Sequence, residues 1–207
     1  MQVTDCADPS IQNHQVFKRF IVRASSAVDA LGSMFPYRRQ IEENTVTKFL
    51  AEKFNRRNAT RGGSAGLREI KVVTARVVET NGAVYNMERL LTGQFTKWCN
   101  NDGTWLESAF EDGKADRTLL EFMKFSYTFT GGYMLVTDLQ GTKAEPGLPW
   151  ADPAQPGYTL TDPGVLCVDR SRFGDAEYGN LGPEFMKRNL ERCCRLLGVP
   201  VPIVEDA

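Results

Sequence analysis

The sequence predicts an α+β fold in which a strand-rich first part leads into a more helical second part. Three observations carry this. Residues 16–22, 70–79 and 83–91 are rich in β-prone residues, and the last two runs are joined by Asn81-Gly82, a strong hairpin signal. Apolar residues recur at helical spacing over residues 42–57 and 118–129, and again over a last segment opened by Pro183. With 207 residues, 42% of them hydrophobic, the chain can bury a core as one domain or as a small strand-rich lobe on a more helical one.

In chain order, residues 1–13 are polar and expected to be loosely ordered. Val16-Phe17-Lys18-Arg19-Phe20-Ile21-Val22 reads as a strand. Val46, Phe49, Leu50 and Phe54, with charges between them, read as a helix over 42–57. Three glycines in 57–66 predict a loop. Residues 70–79 read as one strand, returning through the hairpin as 83–91. Asn100-Asn101-Asp102-Gly103 is a turn, flanked by Lys97. Leu119, Leu120, Phe122, Met123 and Phe125 predict an apolar helix over 118–129, stopped by Gly131-Gly132 before a buried strand at 133–138. Four prolines make 142–157 an irregular loop. Pro183 suits the first turn of a last helix that buries Phe185, Leu190, a thiol of Cys193-Cys194, and Leu197, and that Gly198 caps. The strands are expected to have a mainly antiparallel character throughout.

Composition excludes several chemistries. Net charge is −1, so no global basicity points to nucleic acid. No apolar run approaches the roughly 20 residues of a membrane span. The first residues lack the basic and apolar regions of a signal peptide, and the five cysteines show no ligand spacing. A cytoplasmic address is the expectation. A single histidine, His14, rules out His-rich zinc sites and paired-histidine hydrolases.

The candidate chemistry lies in two acids. Asp138 closes the run from Tyr133, Asp162 closes Tyr158-Thr159-Leu160-Thr161, and Gln140 follows Asp138 by two residues. Two carboxylates and an amide are oxygen donors of the kind Mg²⁺ takes beside substrate phosphates. A carboxylate at a strand end can also orient or deprotonate a hydroxyl. Lys18, inside an apolar strand, can reach phosphate oxygens. Gly179-Asn180-Leu181-Gly182, before a helix start, offers backbone N–H groups to an anion. Each position alone also fits a plain structural role: turn-forming acids, a solvent-facing lysine, a loop glycine pair. A metal-dependent hydrolase built on Asp138 and Asp162 is a third reading, disfavoured by the single histidine.

Taken together these runs resemble the alpha-kinase family, the atypical protein kinases that include elongation factor 2 kinase and myosin heavy-chain kinases. The resemblance rests on Val16-Phe17-Lys18-Arg19-Phe20, on Phe49-Leu50-Ala51-Glu52-Lys53-Phe54-Asn55, and on the stretch from Met87-Glu88-Arg89-Leu90 to Asn100-Asn101-Asp102-Gly103. It continues through Val136-Thr137-Asp138-Leu139-Gln140-Gly141, Leu160-Thr161-Asp162-Pro163 and Asn180-Leu181-Gly182. It implies a two-lobed, protein-kinase-like fold: a segment 1–14, a kinase domain over 15–199 with an N-lobe over about 15–91 and a C-lobe over about 92–199, and a tail at 200–207. It implies transfer of the γ-phosphate of ATP to Ser or Thr of a protein substrate. Asp138 is implied as the catalytic acid, Gln140 and Asp162 as the magnesium holders, and Lys18 as the phosphate lysine. Glu88 and Leu90 are implied as hinge residues holding adenine, and Asn180 and Gly182 as the start of a substrate loop.

The departures from the family pattern carry expectations too. Family members hold a structural zinc on two histidines and two cysteines. The matching positions here are Lys124, Arg188, Leu190 and Cys194, and one thiol cannot build a tetrahedral site. Zinc is expected to be absent, with Leu190 and the long basic side chains filling the space. Only about 17 residues precede Lys18, so the N-lobe is expected to be shortened. Glu42 or Glu43 is the expected partner of Lys18. The leading expectation is an ATP- and Mg²⁺-dependent Ser/Thr kinase; the alternative is an impaired pseudokinase or nucleotide-binding module of the same fold.

Overall fold

The structure is a computed structural model that describes residues 2–4, 12–18, 35–60, 66–80, 83–111, 114–115, 117–144, 157–169, 172–173 and 183–203. In chain order the elements are β1 (Gln2–Thr4), β2 (Gln12–Lys18), α1 (Phe35–Thr60), β3 (Ile70–Val72), β4 (Arg76–Thr80), β5 (Ala83–Arg89) and β6 (Phe95–Lys97). There follow a 3-10 turn (Glu107–Ala109), β7 (Phe110–Glu111), β8 (Lys114–Ala115), α2 (Arg117–Phe129), β9 (Met134–Thr137), β10 (Gln140–Lys143), β11 (Tyr158–Leu160), β12 (Gly164–Cys167) and α3 (Pro183–Leu197).

The α+β expectation holds, and most elements stand where the sequence puts them. The first helix is longer than its periodic stretch. It begins at Phe35, with Pro36 in the first turn, where a missing N–H breaks no intrahelical bond. The strand containing Lys18 starts earlier than expected, at Gln12. It pairs with β1 at Gln2–Thr4, so part of the polar start is ordered as an antiparallel ribbon. Positions 19–22 of the expected strand lie outside the described residues, as do the turn pair Asn81-Gly82 and Asn180-Gly182. The hairpin is nonetheless set by its register, which pairs Thr80 with Ala83.

The expectation of one strand over 70–79 is corrected. The run divides at Val73-Thr74-Ala75 into β3 and β4, which belong to different sheets. One sheet has the order β1-β2-β5-β4 and is antiparallel; the other has the order β3-β11-β10-β6. β3 runs parallel to β11, the one exception to the mainly antiparallel expectation among the described strand pairs. A crossover of many intervening residues permits that pairing, which no local sequence signal announces.

The core lies between α1, α2, α3 and the second sheet. Phe54 of α1 meets Phe122 and Phe125 of α2 edge to face, each at 5.5 Å between ring centres. Leu119, Leu120, Phe122 and Met123 are essentially solvent-free, and Cys193 of α3 donates its S–H to the Leu120 carbonyl. The vicinal thiols Cys193 and Cys194 are both buried and unoxidised. Gly198 ends α3 with φ +67°, its N–H on the Arg195 carbonyl and the Val199 N–H on the Cys194 carbonyl. Among the described residues no helix is long and apolar enough to cross a membrane.

Candidate active site

Two strand pairings bring the distant acids together. β10 pairs with β11, with Gly141 opposite Leu160, and β9 pairs with β12, with Thr137 opposite Gly164. The close approach of β10 and β11 requires glycine at 141: φ is +150°, and a Cβ there would lie 2.0 Å from the Thr159 carbonyl oxygen. The two strand pairs therefore meet at their ends, and the chain turns there through Asp138 and Asp162. These acids are the only non-glycine residues with positive φ among the described residues, at +51° and +45°. Aspartate tolerates this left-handed region better than most side chains, and stored backbone strain of this sort gathers at functional sites.

The kink at Asp138 is buttressed from the turn at 100–103. The Asp138 N–H donates to the Asn100 carbonyl at 3.1 Å, the Thr137 hydroxyl to the Asn101 carbonyl, and the Trp98 and Cys99 N–H groups to the Leu139 carbonyl. The turn closes as expected, with Gly103 at φ +76° and the Thr104 N–H on the Asp102 carboxylate. The Gln140 amide donates to Asp138 Oδ2 at 3.1 Å and to the Asp162 carbonyl at 3.2 Å.

Lys18 reaches this cluster from β2. Its ammonium lies on the Asp162 carboxylate, 3.0 Å from Glu88 Oε2 and 3.2 Å from the Thr161 hydroxyl. Thr161 in turn donates to Glu88 Oε2. The expected partner of Lys18, Glu42 or Glu43, is replaced by Glu88 and Asp162. Glu43 instead is buried, 3.6 Å from Arg39 one helical turn back, and accepts a hydrogen bond from the Val165 N–H. Glu88 presents its side chain to the cluster, almost completely buried, and among the described residues its Oε1 has no hydrogen-bond partner. Leu90 follows β5 and is exposed.

A second lysine, Lys97, lies 2.7 Å from Asp138 Oδ1. In the sequence it marks only the flank of the turn at 100–103. The pairing of β6 with β10, which sets Lys97 opposite Gln140, makes it a neighbour of Asp138. Thr161 was likewise not singled out, though it directly precedes Asp162 and occupies the same β-strand end.

The electrostatics follow from burial and these pairings. For Lys18, burial opposes the charge, but Asp162 and Glu88 outweigh it and hold the ammonium above the ordinary lysine range. Burial, then the Asp162 charge, pushes the Glu88 carboxyl up despite Thr161 and Lys18. Burial also raises Asp138, against the opposing pull of Lys97. Glu43 is pushed up to about 7, chiefly by burial.

Two carboxylates and the Gln140 amide form the donor set. All three can present oxygen, which suits a hard cation such as Mg²⁺. Among the described residues no three His, Cys, Asp or Glu side chains gather as a metal-binding group, so the amide would be the third donor. At the positions matching the family's zinc ligands, Leu190 and Cys194 are buried and Lys124 is half-buried, 3.3 Å from Glu121. Arg188 departs from the expectation that it fills this space: it is exposed, with its guanidinium over the Phe185 ring.

Comparisons with known proteins bear on the family and the fold. The chain is 30% identical over 126 residues to transient receptor potential cation channel subfamily M member 7 of Rattus norvegicus, a match covering 58% of this chain and 6% of the relative. Its fold is similar to the C-terminally truncated alpha-kinase domain of myosin heavy chain kinase, with a TM-score of 0.59 and 22% identity over 88% of this chain and 64% of that one. The alpha-kinase domain of myosin-II heavy chain kinase A in complex with AMP-PNP is similar too, with a TM-score of 0.56 and 21% identity over 88% of this chain and 63% of that one. The chain thus spans a small part of the channel and less than two thirds of either kinase domain. The model of the alpha-kinase family matches residues 1–193, and the chain belongs to that family.

Proposed function

We propose that this chain is an alpha-type protein kinase that transfers the γ-phosphate of ATP to a Ser or Thr hydroxyl of a protein substrate, with Mg²⁺. The observation that carries the reading is the convergence of Asp138, Gln140 and Asp162 with Lys18 and Lys97 at two kinked strand ends. Phosphoryl transfer needs positioned charge more than covalent help from the protein, and this cluster supplies it without histidine.

In this reading Asp138 accepts the proton of the incoming hydroxyl. Its orientation is held by Lys97 and Gln140 and its backbone by Asn100. Lys18 exchanges Asp162 for a phosphate oxygen while Glu88 keeps the ammonium in place. Asp162 and Gln140 would hold Mg²⁺, which when bound neutralises phosphate charge. Backbone groups of Glu88 and Leu90 would hold adenine, and Asn180 and Gly182 would open the substrate loop. The nucleotide complex of a protein of the same fold supports ATP as the substrate.

Calorimetry of ATP with and without Mg²⁺ tests the binding half of the reading. Saturable, Mg²⁺-dependent binding is expected, weakened about tenfold or more in Lys18→Met and in Asp162→Asn. Absence of ATP binding by the unaltered chain would overturn the nucleotide reading. Binding without transfer would select the pseudokinase.

A further inference from the structure

A second concavity lies on the side of the β1-β2-β5-β4 sheet away from the acids. Side chains alternate along β2 and β5, so Lys18 and Glu88 face Asp162 while Gln15, Met87 and Arg89 face the other way. With α1 and β3 they enclose a groove of about 510 Å³. Its floor is apolar, formed by buried Ala51, Val72 and Val73 with half-buried Met87. Its rim is cationic: Lys48, Lys71, Arg76 and Arg89 are all exposed, against the acids Glu52 and Glu69. The whole chain carries −1, so this excess is local.

The rim is also unevenly satisfied. Glu69 pairs with Lys71 at 3.1 Å, and Lys48 donates to the Thr74 hydroxyl at 2.9 Å. Among the described residues, neither Arg76 nor Arg89 has an acidic partner. β3 is an edge strand, and the Asn55 amide caps both outward backbone groups of Ile70. That cap closes one end of the edge and leaves the groove beside Val72.

We propose that this groove docks an acidic linear segment of a partner protein. Its Asp or Glu side chains meet Arg76 and Arg89, and one apolar side chain sits on the floor. Guanidinium groups suit carboxylates, and an apolar floor beneath unpaired cations suits a ligand that carries both features. A small inorganic anion would leave the floor unused. Nucleic acid would need a longer basic track than four cations offset by two acids. The proposal does not depend on phosphate transfer at Asp138.

Fluorescence anisotropy of a labelled Asp/Glu-rich peptide with a central leucine tests this on the full chain. Expected is saturable binding that weakens with salt and with leucine-to-serine replacement in the peptide, and that saturating ATP leaves unchanged. Arg76→Glu combined with Arg89→Glu should weaken it at least about tenfold, as expected for loss of charge-assisted contacts. The milder pair Arg76→Gln and Arg89→Gln, with a matched melting temperature, separates docking from folding. Binding by both variant pairs equal to that of the unaltered chain would overturn the proposal, as would displacement by ATP or competition by inorganic phosphate as effective as by unlabelled peptide. Failure to bind peptide, with self-association abolished by the charge reversal in sedimentation, would overturn it in favour of a second copy of the chain.

Discussion

Asp138 carries two opposing influences: burial raises its carboxyl, and the Lys97 ammonium at 2.7 Å draws it back down. Removing the ammonium leaves burial unopposed. With Asp138 as the proposed base, Lys97→Met is therefore expected to move the acid limb of the kcat–pH profile to higher pH, because the carboxyl stays protonated over a wider range. A limb at the unaltered position would show that Lys97 does not act on Asp138. At this scale much of the site was legible. Asp138 and Asp162 each stand where a β-prone run gives way to a turn, Gln140 follows Asp138 by two residues, and Lys18 interrupts an apolar run. The unread contacts are those made by tertiary pairing. Glu88 is 70 positions from Lys18 in the chain, and only the β2–β5 register sets them on one face. Lys97 becomes a site residue through β6, a strand of three residues that no pattern marks.

Among the elements, the β10–β11 pair decides whether the two halves of the site meet. Gly141→Ala places a Cβ against the Thr159 carbonyl, a backbone atom that cannot step aside as a side chain could. A loss of about 2–4 kcal/mol in stability is expected from strain and overpacking, read by urea denaturation. An unchanged midpoint would show that the two strands separate freely. The helices α2 and α3 were legible because their apolar faces repeat and their ends carry glycine or proline signals. The division of 70–79 into β3 and β4 was not. Val73-Thr74-Ala75 contains no breaker, and the run splits because its two halves serve different sheets. The hairpin β4–β5 shows the opposite case, a local turn signal sufficient to fix a register.

Across the whole molecule, α1 links the two sheets to the acids. Its Glu43 accepts a hydrogen bond from Val165 on β12, the strand that follows Asp162, and feels the charge of Asp138. Its carboxyl is raised from 4.5 to about 7, chiefly by burial, with Arg39 drawing it down and Asp138 adding to the rise. A raised folded-state value means that the contribution to stability is complete below about 4.5 and is lost as pH climbs through about 7. Glu43→Gln removes that dependence. The variant is expected to gain stability relative to the unaltered chain between pH 5 and pH 8, by roughly 1–3 kcal/mol. Denaturation at the two pH values checks this, and parallel behaviour of the two proteins would contradict it. Family membership stands on the family match over residues 1–193, and the α+β fold on the helices and strand pairings. The reaction itself is tested most directly by transfer of labelled γ-phosphate from ATP with Mg²⁺ to a Ser/Thr-containing protein, comparing the unaltered chain with Asp138→Asn. Transfer by the former is expected, and a loss of about 10²–10⁴-fold in kcat for the latter with ATP affinity retained. Equal transfer by both proteins, or none by the unaltered chain, would contradict it.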